Sequence, residues 1–296
     1  MGSEDSLDRA LSRRDLLRLG MGAGIAAAGA TLLPSLADTA FAATPSISAM
    51  SFSSDLYVTP DPQRFSLVLV RTEARGLPFV SGPRVDVRFK APGGQWGPFT
   101  KLQLDTEGLP KGRGVYRTER VFDREGIWKV QTKVGGATAN TFSQQVRANA
   151  IAPIPGQQAP RAASPTLTDS LGVDPICTRV PPCPLHTVSL SDVIGTGKPV
   201  AVLFATPALC TSQFCGPVLD ELLKVMPPYQ ERVTFVHVDI WKSLKGTALS
   251  PTVESWGLES EPWMYGIDGG GTITGRLDTA FGKTEMVALL DDLIAT

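Results

Sequence analysis

The sequence predicts an all-β sandwich followed by an α/β domain, and three observations predict it. Between residues 46 and 148, short apolar runs are separated by Gly/Pro turns, with no amphipathic helical stretch among them. From residue 167 on, apolar runs of strand length alternate with stretches whose apolar residues recur at three- and four-residue spacing. Between the two lies a proline-rich segment whose composition cannot bury a core.

Residues 46–148 carry the β pattern. Ser66-Leu-Val-Leu-Val70 is a continuous apolar run, as in a buried strand. Val85-Asp-Val-Arg-Phe89 and Trp128-Lys-Val-Gln-Thr-Lys-Val134 alternate apolar and polar side chains. Turns fall at Gly76, at Gly82-Pro83, at Pro92-Gly93-Gly94, between Gly108 and Gly114, and at Gly135-Gly136. Short strands with such frequent turns read as a β-sandwich. Gly114-Val-Tyr116, followed by Gly126-Ile-Trp128-Lys-Val130, resembles the G-x-Y…G-x-W-x-V pattern of exported immunoglobulin-like modules, YtkA-like domains among them. This stretch holds neither Cys nor His, so no soft-metal site is expected within it. Its expected part is spacing or docking.

Residues 149–166 read as a linker, in which Pro153, Pro155, Pro160 and Pro165 interrupt Ala, Gln and Gly. Residues 167–296 read as α/β. Val200-Ala-Val-Leu-Phe204 has the unbroken apolar character of a central strand. Leu219, Leu222, Leu223 and Met226 fall on one face of a helix. Pro217 suits the first turn of that helix, and Pro227-Pro228 ends it. Residues 233–240 read as a β-branched strand, and 263–267 with 272–277 as a hairpin about Asp268-Gly-Gly-Gly271. Met286, Leu289, Leu290 and Leu293 mark a last helix.

That order, with a cysteine opening the first helix, resembles the thioredoxin fold. Phe214-Cys215-Gly216-Pro217 resembles the family's W-C-G-P-C segment. Glu261-Pro262-Trp263 stands where its cis-proline stands, and Ile267-Asp-Gly-Gly-Gly-Thr-Ile273 resembles its D-x-x-G turn. The resemblance implies a thiol–disulfide oxidoreductase in which Cys215 attacks and Pro262 shapes the peptide groove. A thiol at a helix N-terminus faces free amide donors and the positive end of the helix dipole, and both favour the reactive thiolate. The chain departs from the family at the resolving position, where Val218 stands. Cys210, five residues before Cys215, is the nearest substitute, with Cys177 or Cys183 as alternatives.

Other readings of these cysteines stay open. Two structural disulfides in a non-catalytic binding or scaffold protein suit an even count in an oxidising compartment, with any of three pairings. Cys177-Thr-Arg-Val-Pro-Pro-Cys183-Pro-Leu-His186 can close a local disulfide, relay electrons to Cys210 and Cys215, or bind metal. A peroxiredoxin-like peroxidase is a further alternative. Pro207, Thr211 and Cys215 make a P-x-x-x-T-x-x-x-C pattern, one residue longer than that family's motif, and Arg276 is a candidate cation. A copper chaperone resembling the Sco group would set Cys210, Cys215 and His186 or His237 around soft copper, although that group's C-x-x-x-C spacing is absent. His237 lies in the apolar run Phe235-Val-His-Val-Asp-Ile240 and reads as a core histidine; His186 reads as the freer one. Asp239 reads as a solvated strand-end acid or, by the thioredoxin resemblance, as a carboxylate that tunes a thiol. Trp241, Trp256 and Trp263 read as a rim to the site or as core. The glycines 269–271 make a turn, no phosphate-binding G-x-x-x-x-G-K-[ST] is present, and no cofactor is expected.

Ser12-Arg-Arg-Asp-Leu-Leu-Arg18, a Gly/Ala-rich stretch to about Leu33, and Ala40-Phe-Ala42 stand in the order of a signal peptide. The arginine pair resembles the twin-arginine export motif. Residues 1–42 are therefore expected to direct a bacterial or archaeal chain to an extracytoplasmic place, whether periplasm, cell wall or medium. Beyond them the chain holds 24 basic and 24 acidic side chains. Binding to nucleic acid or an anionic membrane thus has no electrostatic support. The expected partner is an envelope protein carrying a thiol or a disulfide.

Overall fold

A computed structural model describes residues 47–72 and 78–295. The expected export signal at 1–42 and the turn at Gly76 lie outside the described residues. The architecture follows from strand β2 (Gln63–Arg71), whose two faces are both buried. Side chains alternate across a strand. Phe65, Leu67 and Leu69 point into a sandwich core with Val87, Phe89, Tyr116, Trp128 and Val130. Val68 and Val70 point the other way, into a second core with Phe214, Val218, Leu219 and Phe281.

β2 pairs antiparallel with β1 (Ile47–Ser51), β3 (Phe79–Val80) and β7 (Val115–Arg120), and β6 (Gln103–Asp105) extends the sheet beyond β7. A second antiparallel sheet runs β5 (Thr100–Lys101), β4 (Val85–Lys90), β8 (Gly126–Val134), β9 (Ala137–Val146). The strand runs read at 66–70, 85–89 and 128–134 fall in β2, β4 and β8.

The third sheet is mixed. Its order is β11 (Thr234–Val238), β10 (Val200–Phe204), β12 (Trp263–Ile267), β13 (Ile273–Asp278), with β10 parallel to β11 and antiparallel to β12. Both faces of β10 and β12 are buried. Ala201, Leu203 and Met264 join the core that β2 enters. Val200, Val202, Phe204, Trp263, Tyr265 and Ile267 join another core around Trp256. The helices are α1 (Leu190–Val193), α2 (Cys215–Val225), α3 (Pro251–Trp256) and α4 (Lys283–Ala295). α2 contributes Val218, Leu219, Leu222 and Val225 to the core shared with β2, and α4 adds Met286, Leu289, Leu290 and Leu293. Among the described residues, no helix is long and apolar enough to cross a membrane.

The expected fold class, an all-β sandwich followed by an α/β thioredoxin-like domain, is corrected by this arrangement. Among the described residues strands outweigh helices, in three antiparallel or mixed sheets, and the helices are only 4, 11, 6 and 13 residues long. The apolar periods at 219–226 and 286–293 do make helices. The stretches around them, dense in Pro, Gly and Ser, stay irregular; residues 147–189 form no helix and only isolated bridges.

The proline-rich segment 149–166 is anchored along its length. The Asp55 carboxylate accepts the N–H groups of Ile151 and Ala152 at 3.0 and 3.1 Å. Gly156 donates to the Ile273 carbonyl at 2.8 Å, and Ala159 to that of Gly271 at 2.9 Å. Backbone groups that find partners allow Ala152, Ala159 and Ser164 to be buried despite the segment's composition. The described residues accordingly fall in one compact unit.

Candidate functional site

Past β10 the chain runs through Thr206 and a loop before α2 begins at Cys215. The end of this loop is held from the sandwich side. Phe214 is wholly buried and packs edge-on against Phe52 and Phe79, with centroids at 5.5 and 5.3 Å. Gln213 sits in the left-handed region at φ 62°, unfavourable for a residue of its kind. Arg113 secures it, donating to its carbonyl and, at 3.0 Å, to its Oε1.

The two thiols differ sharply in environment. Cys215 is wholly buried, whereas Cys210 is half-buried. The sulfur facing the helix N-terminus belongs to Cys210: it accepts the Cys215 N–H at 3.3 Å and lies 3.1 Å from Ser212 Oγ. The resemblance implies that place for the Cys215 sulfur instead. The free amides of a first turn point ahead of the helix, towards a loop sulfur, and not at the side chain of the first helical residue. Hydrogen bonds from the Cys215 thiol, the Ser212 hydroxyl and the Cys215 and Phe214 amides outweigh burial and bring the Cys210 thiol down to about 6. Burial, and then the neighbouring Cys210 sulfur, push Cys215 well above the ordinary thiol range.

Glu261 completes the group. Its carboxylate and both sulfurs lie within 4.8 Å of one another. The Cys215 thiol is thus within reach of two acceptors, the Cys210 sulfur and the Glu261 carboxylate. Burial, and then the charge on Cys210, push the Glu261 carboxyl up to about 7, and its Oε2 has no hydrogen-bond partner. The next residue, Pro262, is buried and follows a cis peptide bond. Ser212 Oγ reaches the Glu261 carbonyl at 3.5 Å, so the Cys210 loop meets the segment carrying Pro262. Glu261 did not stand out in the sequence; its one signal is its place directly before the proline likened to the family's cis-proline.

A second cluster forms beneath this loop from Cys177, Cys183, His186 and His237, all buried, with one donor atom of each within 4.8 Å of the others. The Cys177 and Cys183 sulfurs are 3.8 Å apart and both thiols are free, so no local disulfide joins them. Cys183 Sγ is 3.3 Å from both His186 Nε2 and His237 Nδ1; Cys177 Sγ is 3.9 Å from His237 Nδ1; the two ring nitrogens are 3.2 Å apart. His186, read as the freer histidine, is only 2% exposed. It belongs with Cys183 and His237, so the copper set of Cys210, Cys215 and His186 is not assembled.

Asp239 is buried rather than solvated. It accepts the Thr178 N–H at 2.7 Å and its hydroxyl at 2.9 Å, fixing the loop after Cys177. Arg276 is committed to the Asp55 carboxylate at 2.9 Å and to the carbonyls of Ala152 and Pro153, which removes the cation considered for a peroxidase. Trp256 and Trp263 are core residues, and Trp241 packs half-buried against that core.

No protein-family model matches the chain, and no curated protein matches it. Among solved structures, it has a weak neighbour in the Chlorobium tepidum protein described as a thiol:disulfide interchange protein, DsbE. The two are 19% identical over 48% of this chain and 96% of that one, with a TM-score of 0.34. The Lin-41 filamin domain is 14% identical over 36% of this chain and 97% of that one, with a TM-score of 0.22. The ZirS C-terminal domain is 14% identical over 50% of this chain and 98% of that one, also with a TM-score of 0.22. Likenesses of this size carry no argument about fold or chemistry.

Proposed function

We propose that the chain is a thiol–disulfide oxidoreductase working through Cys210 and Cys215. One observation carries this reading: a half-buried sulfur at a helix N-terminus, that of Cys210, accepts the backbone N–H of the buried Cys215 at 3.3 Å, and the Cys215 thiol lies within 4.8 Å of the half-buried Glu261 carboxylate. The Cys210 thiolate attacks one sulfur of a partner disulfide, forming a mixed disulfide and releasing the partner's other sulfur as thiolate. The Cys215 thiol passes its proton to Glu261 and attacks Cys210 Sγ. The Cys210–Cys215 bond forms and the partner's remaining sulfur leaves as thiolate. The partner gains two electrons and the pair loses two; the reverse sequence oxidises a dithiol. The twin-arginine-like segment supports an extracytoplasmic setting and an envelope partner.

Alkylation of Cys210 by iodoacetamide in the reduced protein is expected to rise with pH and reach half its maximum near pH 6. A lowered thiol value means that the reactive form accumulates above about 6 and is lost below it. Mass-spectrometric counting of the Cys210 adduct measures this, and a midpoint near the ordinary ~8.5 would contradict it.

Glu261→Gln keeps the shape but removes the proton acceptor. Resolution of the mixed disulfide is expected to slow about 10²-fold at pH 7, while the first attack changes little. Single-turnover kinetics separates the two steps. An equal slowing of both would deny Glu261 this role.

A further inference from the structure

We propose that Cys177, Cys183, His186 and His237 form a Cys₂His₂ site for a zinc ion, separate from the redox pair. The donor spacing carries this. A tetrahedral zinc ion with Zn–S of about 2.3 Å and Zn–N of about 2.0–2.1 Å requires S–S near ~3.8 Å, S–N near ~3.6 Å and N–N near ~3.3 Å. The corresponding separations are 3.8 Å between sulfurs, 3.3, 3.3 and 3.9 Å from sulfur to nitrogen, and 3.2 Å between nitrogens. Five of the six edges of one tetrahedron are thus in place, and the sixth, from Cys177 to His186, is no longer than 4.8 Å.

The chemistry of the surroundings agrees. His237 Nε2 lies 2.9 Å from the Ala205 carbonyl, which only accepts hydrogen bonds, so Nε2 carries the proton and Nδ1 turns its lone pair towards the sulfurs. A backbone carbonyl that fixes the tautomer of a histidine in this way is the usual support of a metal ligand. A set of two sulfurs and two nitrogens selects zinc over hard cations, and four protein donors close the shell, as in structural sites. The four residues come from two separate segments, the irregular loop 177–186 and strand β11, and a shared ion would clamp one to the other. The clamp would also reach the redox loop, because Thr178 Oγ1 accepts the Ala208 N–H at 3.3 Å, two residues before Cys210.

The test uses the full chain without residues 1–42, purified under reducing conditions, loaded with zinc and dialysed. Elemental analysis is expected to find one zinc per chain, and X-ray absorption two sulfur and two nitrogen neighbours at about 2.3 and about 2.0–2.1 Å. Cys177→Ser and His237→Ala should weaken zinc binding at least roughly 100-fold. The double variant Cys210→Ser/Cys215→Ser should keep the full zinc content, which separates this site from the redox pair. Should the ligand variants fail to fold, cobalt(II) in the unaltered protein gives an independent reading through the visible bands of tetrahedral thiolate coordination. Three results would overturn the proposal: zinc absent after loading, a shell without two sulfurs, or zinc lost with Cys210 and Cys215. A native Cys177–Cys183 disulfide that persists under reductant and excludes zinc would do so as well.

Discussion

Cys210→Ser is expected to abolish disulfide exchange, lowering the rate by roughly 10³-fold or more, because it removes the attacking sulfur. Cys215→Ser should stop the reaction one step later and accumulate a mixed disulfide between Cys210 and the partner. The asymmetry follows from burial and charge. Cys210 is half-buried and its thiol is brought down to about 6, so it is largely thiolate at pH 7. Cys215 is wholly buried and held protonated, so it cannot meet a protein disulfide before Cys210 does. Mass spectrometry of each variant after mixing with a disulfide-bonded peptide reads the outcome. Trapping on Cys215 in the Cys210→Ser variant would restore the roles implied by the sequence resemblance.

The largest stability effect is expected at Arg64. It forks onto Glu285, with Nε to Oε1 at 2.6 Å and Nη2 to Oε2 at 2.8 Å. It also donates to the Ala280 carbonyl at 2.6 Å and to Ser66 Oγ at 3.0 Å. The two side chains are 12% and 5% exposed, so this pair joins β2 to the first turn of α4 out of water. Arg64→Ala leaves the Glu285 carboxylate buried, with Arg117 Nε at 3.6 Å as its remaining cation. Breaking a buried pair in this way costs about 3–5 kcal/mol. For a chain of this size that lowers Tm by roughly 6–20 °C. Arg64→Met combined with Glu285→Leu should recover most of the loss, since replacing both charges removes the desolvation cost along with the attraction. A loss below about 1 kcal/mol in Arg64→Ala would show that Arg117 takes over the pairing.

The apolar periods around Cys210 and Cys215 were legible because each is local. Residues 200–204, 219–226, 263–267 and 286–293 were marked by apolar spacing, and each lies within or nearly within the corresponding strand or helix. The balance of the whole was not legible. β2 carries one apolar run that serves two cores, and nothing in the run says that its second face receives α2 and α4. The site was legible only in its sulfurs. Which thiol is exposed depends on how the 207–214 loop turns back over the helix N-terminus, a matter of Arg113 and Phe79 gripping it from the sandwich. Glu261 meets Cys215 only because β12 runs antiparallel beside β10, bringing the start of one strand to the end of the other. His186 and His237 stand 51 residues apart and join through the fold, so sequence spacing could not pair them.

The central claim, that Cys210 and Cys215 are an exchangeable redox pair, is tested most directly by titrating the chain without residues 1–42 against a glutathione or dithiothreitol poise. The disulfides are mapped by mass spectrometry at each point. A Cys210–Cys215 bond that forms and breaks between roughly −120 and −270 mV is the expected result. A bond still oxidised below about −300 mV, or no bond between these two cysteines at any poise, would contradict it.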